Sequence, residues 1–388
     1  MFLFFAFCMT QGMTAQLTSL GLVEESNITN VNKDGYMNFI PELSFVDDFL
    51  YVAAPKGLYR IPYKSQAEWE KLPLTDELVL DFEVRGDTLV VLTRSQLLYS
   101  LDGGKTSDVY SAADIAHEGY EPTLVGMEIH PNNAADIFVT TKASGLWRTY
   151  DIGSGWVEVL GKNKEHVSLT RLFYSPHDAN HLVGLYNNPF IDVSELFFSR
   201  DGGIEWKFGA GEYMRGNICQ SLNIAFHPTN VNKVVACGQN LYVISDDAGA
   251  SWSVITKSNG RDWVASITDV QFDTRNPDIL YGADWKAAGA GATTVRYSTD
   301  GGYTWETFFS DTIASKGHVL SLDMKDNLLA LYTYAGGIYL LDVDAVESSI
   351  SPIMDDGNST PYYDLMGRPV AHPTRGIYIK DGRKVLIE

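Results

Sequence analysis

The chain has 388 residues, of which 45% are hydrophobic and 12% aromatic, enough to bury a large core. It carries 49 acidic and 29 basic residues, and its formal net charge is −20. A surface this acidic repels phosphate backbones and anionic lipid, which argues against nucleic acid as a partner. The three cysteines form neither a CxxC motif nor a cluster with histidine, so we expect no metal site and no cofactor.

Residues 1–15 have the pattern of a secretory signal peptide. The first ten residues are nearly all apolar, and Met13-Thr14-Ala15 offers a small-residue cleavage site before Gln16. No Lys or Arg precedes the apolar run, and a buried first strand is the alternative interpretation. A signal peptide would place the mature chain outside the cytoplasm, either secreted, periplasmic or on the cell surface. No later apolar run is long enough to span a bilayer.

Two cysteines remain outside the expected signal peptide. Cys219 and Cys237 flank a predicted hairpin with its turn near Pro228. The sequence is compatible with a disulfide between them and equally with two buried thiols.

A short motif of the form Ser/Thr-x-Asp-x-Gly-x-x-Trp recurs along the chain. Full copies lie at residues 199–206, 245–252 and 298–305, a looser copy at 149–156, and a copy without Trp at 100–107. Successive copies are about 50 residues apart, close to the roughly 40–50 residues of one four-stranded propeller blade. The Asp and Trp residues that recur in the copies of the motif are Asp102, Asp151, Asp201, Asp247, Asp300, Trp156, Trp206, Trp252 and Trp305.

We interpret these residues as structural. The carboxylate and hydroxyl groups can bond the backbone of a tight hairpin turn. The glycine supplies a left-handed or closely approached position, and the tryptophan can pack between neighbouring sheets. The motif is therefore a turn-forming element rather than a set of catalytic acids.

The segments around the motif predict the rest of each repeat. Apolar runs separated by Pro/Asn turns precede it, as at 129–132 and 226–229, so each repeat reads as strand, turn, strand, loop, strand, motif, strand. The copy at 100–107 ends a repeat that begins at Leu78. Two repeats without the motif, from Phe39 to Trp69 and from His318 to Asp344, raise the count from five to seven. The last repeat lacks a fourth strand, and we predict that Leu17 to Glu24 supplies it and closes the ring. The expected fold is all-β, a seven-bladed β-propeller of four-stranded antiparallel blades over residues 16–345.

The motifs resemble the BNR or Asp-box repeats of sialidases, sortilin-type receptors, xyloglucan-cleaving enzymes and photosystem assembly factors. The resemblance covers residues 39–345 and implies the propeller fold. It does not imply one activity, because these families share the boxes and little chemistry.

The C-terminal segment differs in composition. Residues 346–361 are rich in Ser, Pro, Asp, Gly and Asn, which predicts a linker. Residues 362–388 predict three short strands in a small β-hairpin tail, and they are similar to the end of the type IX secretion sorting domains of Bacteroidetes. This resemblance implies export to the surface, and a hairpin docked on the propeller is the alternative.

One arginine motif invites a catalytic interpretation. Residues 59–62, Tyr-Arg-Ile-Pro, resemble the signature in which sialidases place a carboxylate-binding arginine. In sialidases the motif opens an innermost strand, whereas here it ends a predicted third strand, so we interpret it as coincidental. Arg171, Arg215 and Arg261 remain usable, but they form no recognisable catalytic set.

The expected ligand surface follows from the topology. The Asp boxes and the Pro/Asn turns share one face of the propeller, and the second-to-third-strand loops and inter-blade connections share the other, which we call the loop face. Ligands usually bind on such variable loops. The candidates on the loop face are His117, Glu118, Tyr120, Glu165, His166, Tyr186, Asn187, Asn188, Phe190, Asp192, Tyr213, Arg215, Arg261, Asp262, Trp263, Asp284, Trp285 and Lys286. Aromatic rings among polar groups are typical of carbohydrate sites, although loops are polar by default.

Since no catalytic set is recognisable, the sequence favours a non-catalytic, monomeric, extracytoplasmic binding or scaffold protein for a glycan or a protein ligand. The alternative is a glycoside hydrolase of the sialidase-like superfamily, and a third hypothesis is an assembly factor that docks a partner protein. Two carboxylates about 5–10 Å apart at the centre would favour hydrolysis.

Overall fold

The structure of the protein is a computed structural model. It describes residues 17–22, 42–65, 67–115, 123–142, 144–160, 168–188, 193–211, 222–238, 241–255, 267–284, 293–311, 318–333, 337–348, 351–352, 362–365, 368–370, 373, 375–380 and 383–387.

The described residues form seven antiparallel sheets of four strands, which we call blades 1 to 7. The N-terminal strand is β1 (Leu17–Leu22). Blades 1 to 3 contain β2 (Leu43–Val46), β3 (Phe49–Ala54), β4 (Gly57–Pro62), β5 (Glu70–Lys71), β6 (Asp81–Arg85), β7 (Thr88–Leu92), β8 (Gln96–Ser100), β9 (Asp108–Ser111), β10 (Thr123–Ile129), β11 (Ile137–Lys142), β12 (Leu146–Thr149) and β13 (Val157–Leu160). Blades 4 to 6 contain β14 (Ser168–Ser175), β15 (Asp178–Asn188), β16 (Val193–Ser199), β17 (Lys207–Phe208), β18 (Leu222–Phe226), β19 (Val234–Gly238), β20 (Leu241–Ser245), β21 (Ser253–Val254), β22 (Ile267–Phe272), β23 (Leu280–Asp284), β24 (Thr293–Ser298) and β25 (Glu306–Asp311).

Blade 7 closes the propeller with the N-terminal strand. Its own strands are β26 (Val319–Lys325), β27 (Leu328–Thr333) and β28 (Gly337–Asp342). The strand order is β1-β28-β27-β26, so β1 is the outermost strand, as the sequence predicts. The indole Nε1 of Trp69 in blade 1 donates to the Leu20 carbonyl at 2.9 Å, which attaches β1 to blade 1 as well.

The first strands of the blades surround the centre. Contacts between first strands join β6 to β10, β10 to β14, β14 to β18, β18 to β22, β22 to β26 and β26 to β2. This cyclic order is that of a β-propeller with its innermost strands at a central channel. The seven sheets are consistent with the predicted number of blades.

The Asp boxes form the turns that the sequence predicts. In the box at 298–305, Ser298 Oγ donates to Asp300 Oδ1 at 2.8 Å, and the same carboxylate accepts the Thr304 N–H at 2.9 Å. Gly302 has a φ of 98°, a left-handed conformation that suits glycine. The looser box at 149–156 differs, because Thr149 Oγ1 donates to the backbone carbonyl of Asp151 at 3.0 Å. In this box the hydroxyl thus bonds a backbone carbonyl in place of the aspartate carboxylate.

The tryptophans of the boxes pack between blades. Trp252 lies in a hydrophobic cluster that combines Val183 and Phe198 of blade 4 with Val234 and Val243 of blade 5. Trp305 joins blades 5 and 6 in the same way, and its Nε1 donates to the Gly302 carbonyl at 3.0 Å. The boxes at 245–252 and 298–305 thus each fix a turn and pack against an inter-blade core.

Histidine closes two of the first-to-second-strand turns. His227 Nδ1 accepts the N–H groups of Thr229 and Asn230 at 3.2 and 3.0 Å, and His130 Nδ1 accepts that of Asn132 at 3.2 Å. Asp273 occupies the same place in blade 6 and accepts the Arg275 N–H at 2.8 Å. Neutral imidazole thus replaces the side-chain oxygen that usually closes such turns.

By internal contacts the chain divides into two compact units, one of residues 19–326 and 330–339 and the other of residues 1–18, 327–329 and 340–388. The second unit contains a short helix, α1 (Val343–Ser348), which begins before the predicted linker. It also contains five strands where the sequence analysis expects three, ordered β29-β33-β32-β30-β31. Their bounds are β29 (Ser351–Pro352), β30 (Tyr362–Tyr363), β31 (Pro369–Val370), β32 (Gly376–Lys380) and β33 (Arg383–Ile387). The expected hairpin is β32 with β33.

Cys237 lies buried on β19, whereas Cys219 falls outside the described residues, so a disulfide between them stays a prediction. Within the described ranges, no helix is long and apolar enough to cross a membrane. In the same part of the chain, no group of three or more His, Cys, Asp or Glu side chains is placed to hold a metal ion.

Candidate functional site

The loop face is where the sequence analysis expects ligands. Tyr186, Asn187 and Asn188 lie at the end of β15, and most of the other predicted residues fall outside the described part of the chain. They lie in the segments that lead into β10, β14, β16, β18 and β22 or that follow β23: His117, Glu118, Tyr120, Glu165, His166, Phe190, Asp192, Tyr213, Arg215, Arg261, Asp262, Trp263, Trp285 and Lys286. Their grouping stays a prediction. Asp284, the last residue of β23, is described, and its side chain is 1% exposed in an ion pair with Arg296 at 2.8 Å. It therefore supports a strand end and is not displayed for a ligand.

The Tyr-Arg-Ile-Pro motif lies away from the channel, on the third strand of blade 1. Arg60 donates to Glu70 of the outermost strand β5 at 2.7 Å, and its guanidinium lies 4.8 Å from the centre of the Phe49 ring. The register in which Arg60 pairs with Glu70 turns it toward the edge of the blade. This agrees with the interpretation of the motif as coincidental.

The channel contains a group of acidic side chains that sequence reasoning missed. Each carboxylate belongs to the first strand of one blade and accepts a backbone N–H from the first strand of the next. The four bonds run from Met127 to Asp81 (2.9 Å), Tyr174 to Glu128 (2.7 Å), Leu322 to Asp269 (2.8 Å) and Phe45 to Asp323 (2.7 Å). A first strand has no neighbour on its channel side, so its inner N–H groups need such acceptors.

One arginine crosses the channel. Arg171, on β14 of blade 4, donates through Nη2 to Glu42 Oε1 in blade 1 and to Asp81 Oδ1 in blade 2, both at 3.1 Å. Its Nη1 donates to Asn223 Oδ1 in blade 5 at 3.4 Å. A single guanidinium thus joins four blades, and we call Arg171, Glu42 and Asp81 the channel cluster.

The channel cluster lies toward the loop face. Glu42 directly precedes β2 and Asp81 is the first residue of β6, and first strands begin where the inter-blade connections enter. The side chains of Arg171 and Glu42 are 21% and 23% exposed, while that of Asp81 is 4% exposed. The cluster is therefore deep within the protein, with part of its surface open to the channel.

Burial controls the protonation of these carboxyls. It raises the pKa of Asp269 to about 7 and that of Asp323 to about 6, although each accepts backbone N–H bonds. Burial also raises the pKa of Glu42 and of Glu128 well above the usual range, against the opposing effect of Arg171. The charge of Asp81 and Glu42 raises the pKa of Arg171, which stays cationic.

Glu42 and Asp81 are neighbours in the channel, because each has an oxygen 3.1 Å from the same Arg171 nitrogen. Their remaining oxygens also have protein donors, the Met127 N–H to Asp81 at 2.9 Å and the Phe82 N–H to Glu42 at 3.4 Å. A carboxylate whose oxygens are occupied in this way is held as a structural ligand of the guanidinium. The main role of these bonds is therefore to join blades. Acid–base chemistry at Glu42 or Asp81 would require some of the bonds to break.

The fold and the boxes agree with known proteins. A family model described as BNR/Asp-box repeat matches residues 296–307. The solved structure of YCF48 bound to D1 peptide is 16% identical with a TM-score of 0.51, covering 78% of this chain and 91% of that chain. The Neurospora crassa Pan2 WD40 domain is 13% identical with a TM-score of 0.55, covering 84% and 94%. The computationally designed Ika8 protein is 13% identical with a TM-score of 0.51, covering 84% and 99%.

No curated protein matches the chain. At these identities the similar structures establish the fold alone. The chain is a β-propeller with Asp-box repeats.

Proposed function

We propose that this propeller is a secreted or surface-exposed, non-catalytic binding or scaffold protein that recognises a glycan or protein ligand on its loop face. The observation that carries the proposal is the bonding of the channel carboxylates. Asp81, Glu128, Asp269 and Asp323 each accept an N–H from the next blade, which assigns them to holding the ring together. Recognition is then assigned to the loop face, where variable loops usually bind ligands.

The composition of the loop face supports this proposal. Trp263 and Trp285 offer rings that stack on sugar faces or fill apolar pockets of a protein. Arg261, Asp262 and Lys286 adjoin them in sequence and offer hydrogen bonds to hydroxyl or backbone groups. Among similar structures, the YCF48 structure was determined with a bound peptide, so the fold accommodates a peptide ligand. The signal-peptide pattern of residues 1–15 is the basis for proposing an extracytoplasmic location.

A second candidate is a glycoside hydrolase, and the channel cluster is the observation that favours it. Glu42 has a raised pKa, mainly from burial, beside Asp81 in a channel that opens toward the loop face. A protonated acid beside a second carboxylate is the arrangement that glycosidases use. The occupied oxygens of both residues weigh against it.

The test is a screen of the purified chain against immobilised glycans and extracellular proteins, with mass spectrometry of any released material. We expect retention without released fragments, and at least a tenfold loss of affinity in a Trp263→Ala/Trp285→Ala variant. Phe208→Ala, at a side chain that is 50% exposed on the outermost strand of blade 4, serves as the matched aromatic control and should bind as the parent does.

Two outcomes would overturn the proposal. Release of glycan fragments that stops in Glu42→Gln would establish the hydrolase instead. Retention that Trp263→Ala/Trp285→Ala leaves unchanged would remove the loop face from recognition.

A further inference from the structure

The face opposite the loop face carries exposed hydrophobic side chains at regular intervals. We call it the Asp-box face, because the boxes and the first-to-second-strand turns form it. Backbone bonds confirm this grouping: Gly202 N–H donates to the Asn180 carbonyl at 2.9 Å, and Ala248 N–H to that of Asn232 at 2.7 Å. The exposed side chains on it are Leu101 (67%), Tyr150 (54%), Ile204 (74%), Val231 (51%) and Tyr303 (36%).

These five residues are distributed one to a blade over blades 2 to 6. Leu101 and Tyr150 stand at the second position of their boxes, Ile204 and Tyr303 at the sixth, and Val231 in the first turn of blade 5. Single exposed hydrophobic residues are normal on any protein. A row that repeats on one face of five consecutive blades is not scattered, and two of its members are tyrosines, which are favoured as interface anchors.

The face is held rigid by bonds between successive boxes. Arg148 of blade 3 donates to the Gly202 carbonyl in the box of blade 4 at 2.6 Å. Arg200 of blade 4 donates to the Asp247 carbonyl in the box of blade 5 at 2.9 Å. Tyr303 of blade 6 donates to the carboxylate of Asp246 in blade 5 at 2.5 Å. A surface ordered before binding loses little conformational entropy when a partner docks.

The charge of the face restricts the partner. The five eight-residue boxes contain seven acidic and two basic residues. Hydrogen bonds from Thr106 lower the pKa of Asp102 to about 2, and the pKa values of Asp201, Asp247 and Asp300 are also lowered, so this charge persists near neutral pH. A second copy would bring acid against acid, and an anionic membrane would be repelled. A cationic surface is the complement.

We propose that the Asp-box face docks a basic protein segment that carries apolar side chains. Tyr150 and Ile204 provide central apolar contacts, and the surrounding carboxylates attract the Arg or Lys side chains of the partner. This surface is separate from the proposed loop-face site. The chain would then hold two ligands on opposite faces, as a scaffold does.

The probe is a set of immobilised synthetic twelve-residue peptides built from Arg, Leu and Trp. One comparison set replaces Arg with Glu, and another replaces Leu and Trp with Ser. We expect the full chain to bind the first set only, with affinity that falls as salt is added. Leu101→Ser/Ile204→Ser should weaken binding of the Arg peptides at least tenfold. Glu205→Lys should also weaken their binding, and it should allow the Glu peptides to bind.

The matched control is Val109→Ser/Val157→Ser, which changes two valines that are each 53% exposed on outermost strands and lie outside the five boxes. Control and loop-face variants should bind the peptides as the parent does. The proposal is overturned by no binding of the Arg peptides, by equal binding of the Glu peptides, or by equal losses in the control variant. Dimerisation that Leu101→Ser/Ile204→Ser abolishes would identify a second copy as the occupant instead. Thermal unfolding of each variant verifies that it is folded.

Discussion

In both the Asp-box turns and the channel, an aspartate carboxylate accepts a backbone N–H, but the pKa of the carboxyl shifts in opposite directions in the two regions. In a box, Asp300 accepts the Thr304 N–H at 2.9 Å, and its pKa is lowered although partial burial acts to raise it. In the channel, Asp269 accepts the Leu322 N–H at 2.8 Å, yet burial raises its pKa to about 7. A donor N–H favours the carboxylate, but loss of water disfavours it more strongly when the group is enclosed.

The two regions also differ in what they connect. A box aspartate bonds residues three or four positions further along the chain, so it shapes a turn within one blade. Asp81, Glu128 and Asp269 bond strands 46 to 53 residues away, which is the repeat of a propeller blade, so they join neighbouring blades. Asp323 bonds Phe45, 278 residues away, and so joins the last blade to the first. Arg171 extends this joining across the centre, since its partners Glu42 and Asp81 lie 129 and 90 residues away in sequence.

The largest expected effect comes from removing the arginine that crosses the channel. Arg171→Met leaves Glu42 and Asp81 buried beside each other without their cation, which should lower the free energy of unfolding by about 3–5 kcal/mol. Urea unfolding at pH 7.5 measures it. Arg60→Met is the control, because it breaks an ion pair with a partner that is 55% exposed, for which a loss below about 1 kcal/mol is expected. Equal losses of unfolding free energy in Arg171→Met and Arg60→Met would show that the channel cluster stabilises the fold no more than a surface ion pair does.

The next effect concerns pH in the channel. Because the folded pKa of Asp269 is about 7 and an unfolded Asp titrates near ~4, the folded state binds the extra proton between these values. The contribution of Asp269 is therefore full below about pH 4 and is lost as pH rises through 7, with a slope of at most about 1.4 kcal/mol per pH unit.

Asp269→Asn tests this directly, since the amide oxygen can still accept the Leu322 N–H without charge. We expect the variant to lose less stability than the parent between pH 5 and pH 8, and to be at least as stable at pH 8. Urea unfolding at both pH values measures the difference, with Asp151→Asn at an exposed position as the control. An unchanged pH slope in Asp269→Asn would mean that Asp269 is not desolvated.

The difference between the two regions explains what the sequence could predict. The boxes were recognisable because Ser298, Asp300 and Trp305 form a complete bonding unit within eight residues, and their spacing then predicted blades. The channel cluster has no such local unit, since closure of the ring brings Glu42, Asp81 and Arg171 together. A weaker signal was present: Glu128, Asp269 and Asp323 each interrupt a largely apolar first strand.

The smallest expected effect is the difference in unfolding free energy between substitutions in two Asp boxes. Asp300→Ala removes the acceptor for Ser298 Oγ and for both the N–H and hydroxyl of Thr304, and should lower the free energy of unfolding by about 1–3 kcal/mol near neutral pH. Asp151→Ala, in the looser box, should change it by less than about 0.5 kcal/mol. Since the pKa of Asp300 is lowered, its contribution is present above about pH 4 and is lost as pH falls, the opposite sign to Asp269. Unfolding curves of both variants at pH 3.5 and pH 7 measure this, and equal effects of the two substitutions would contradict a role for the carboxylate in the turn.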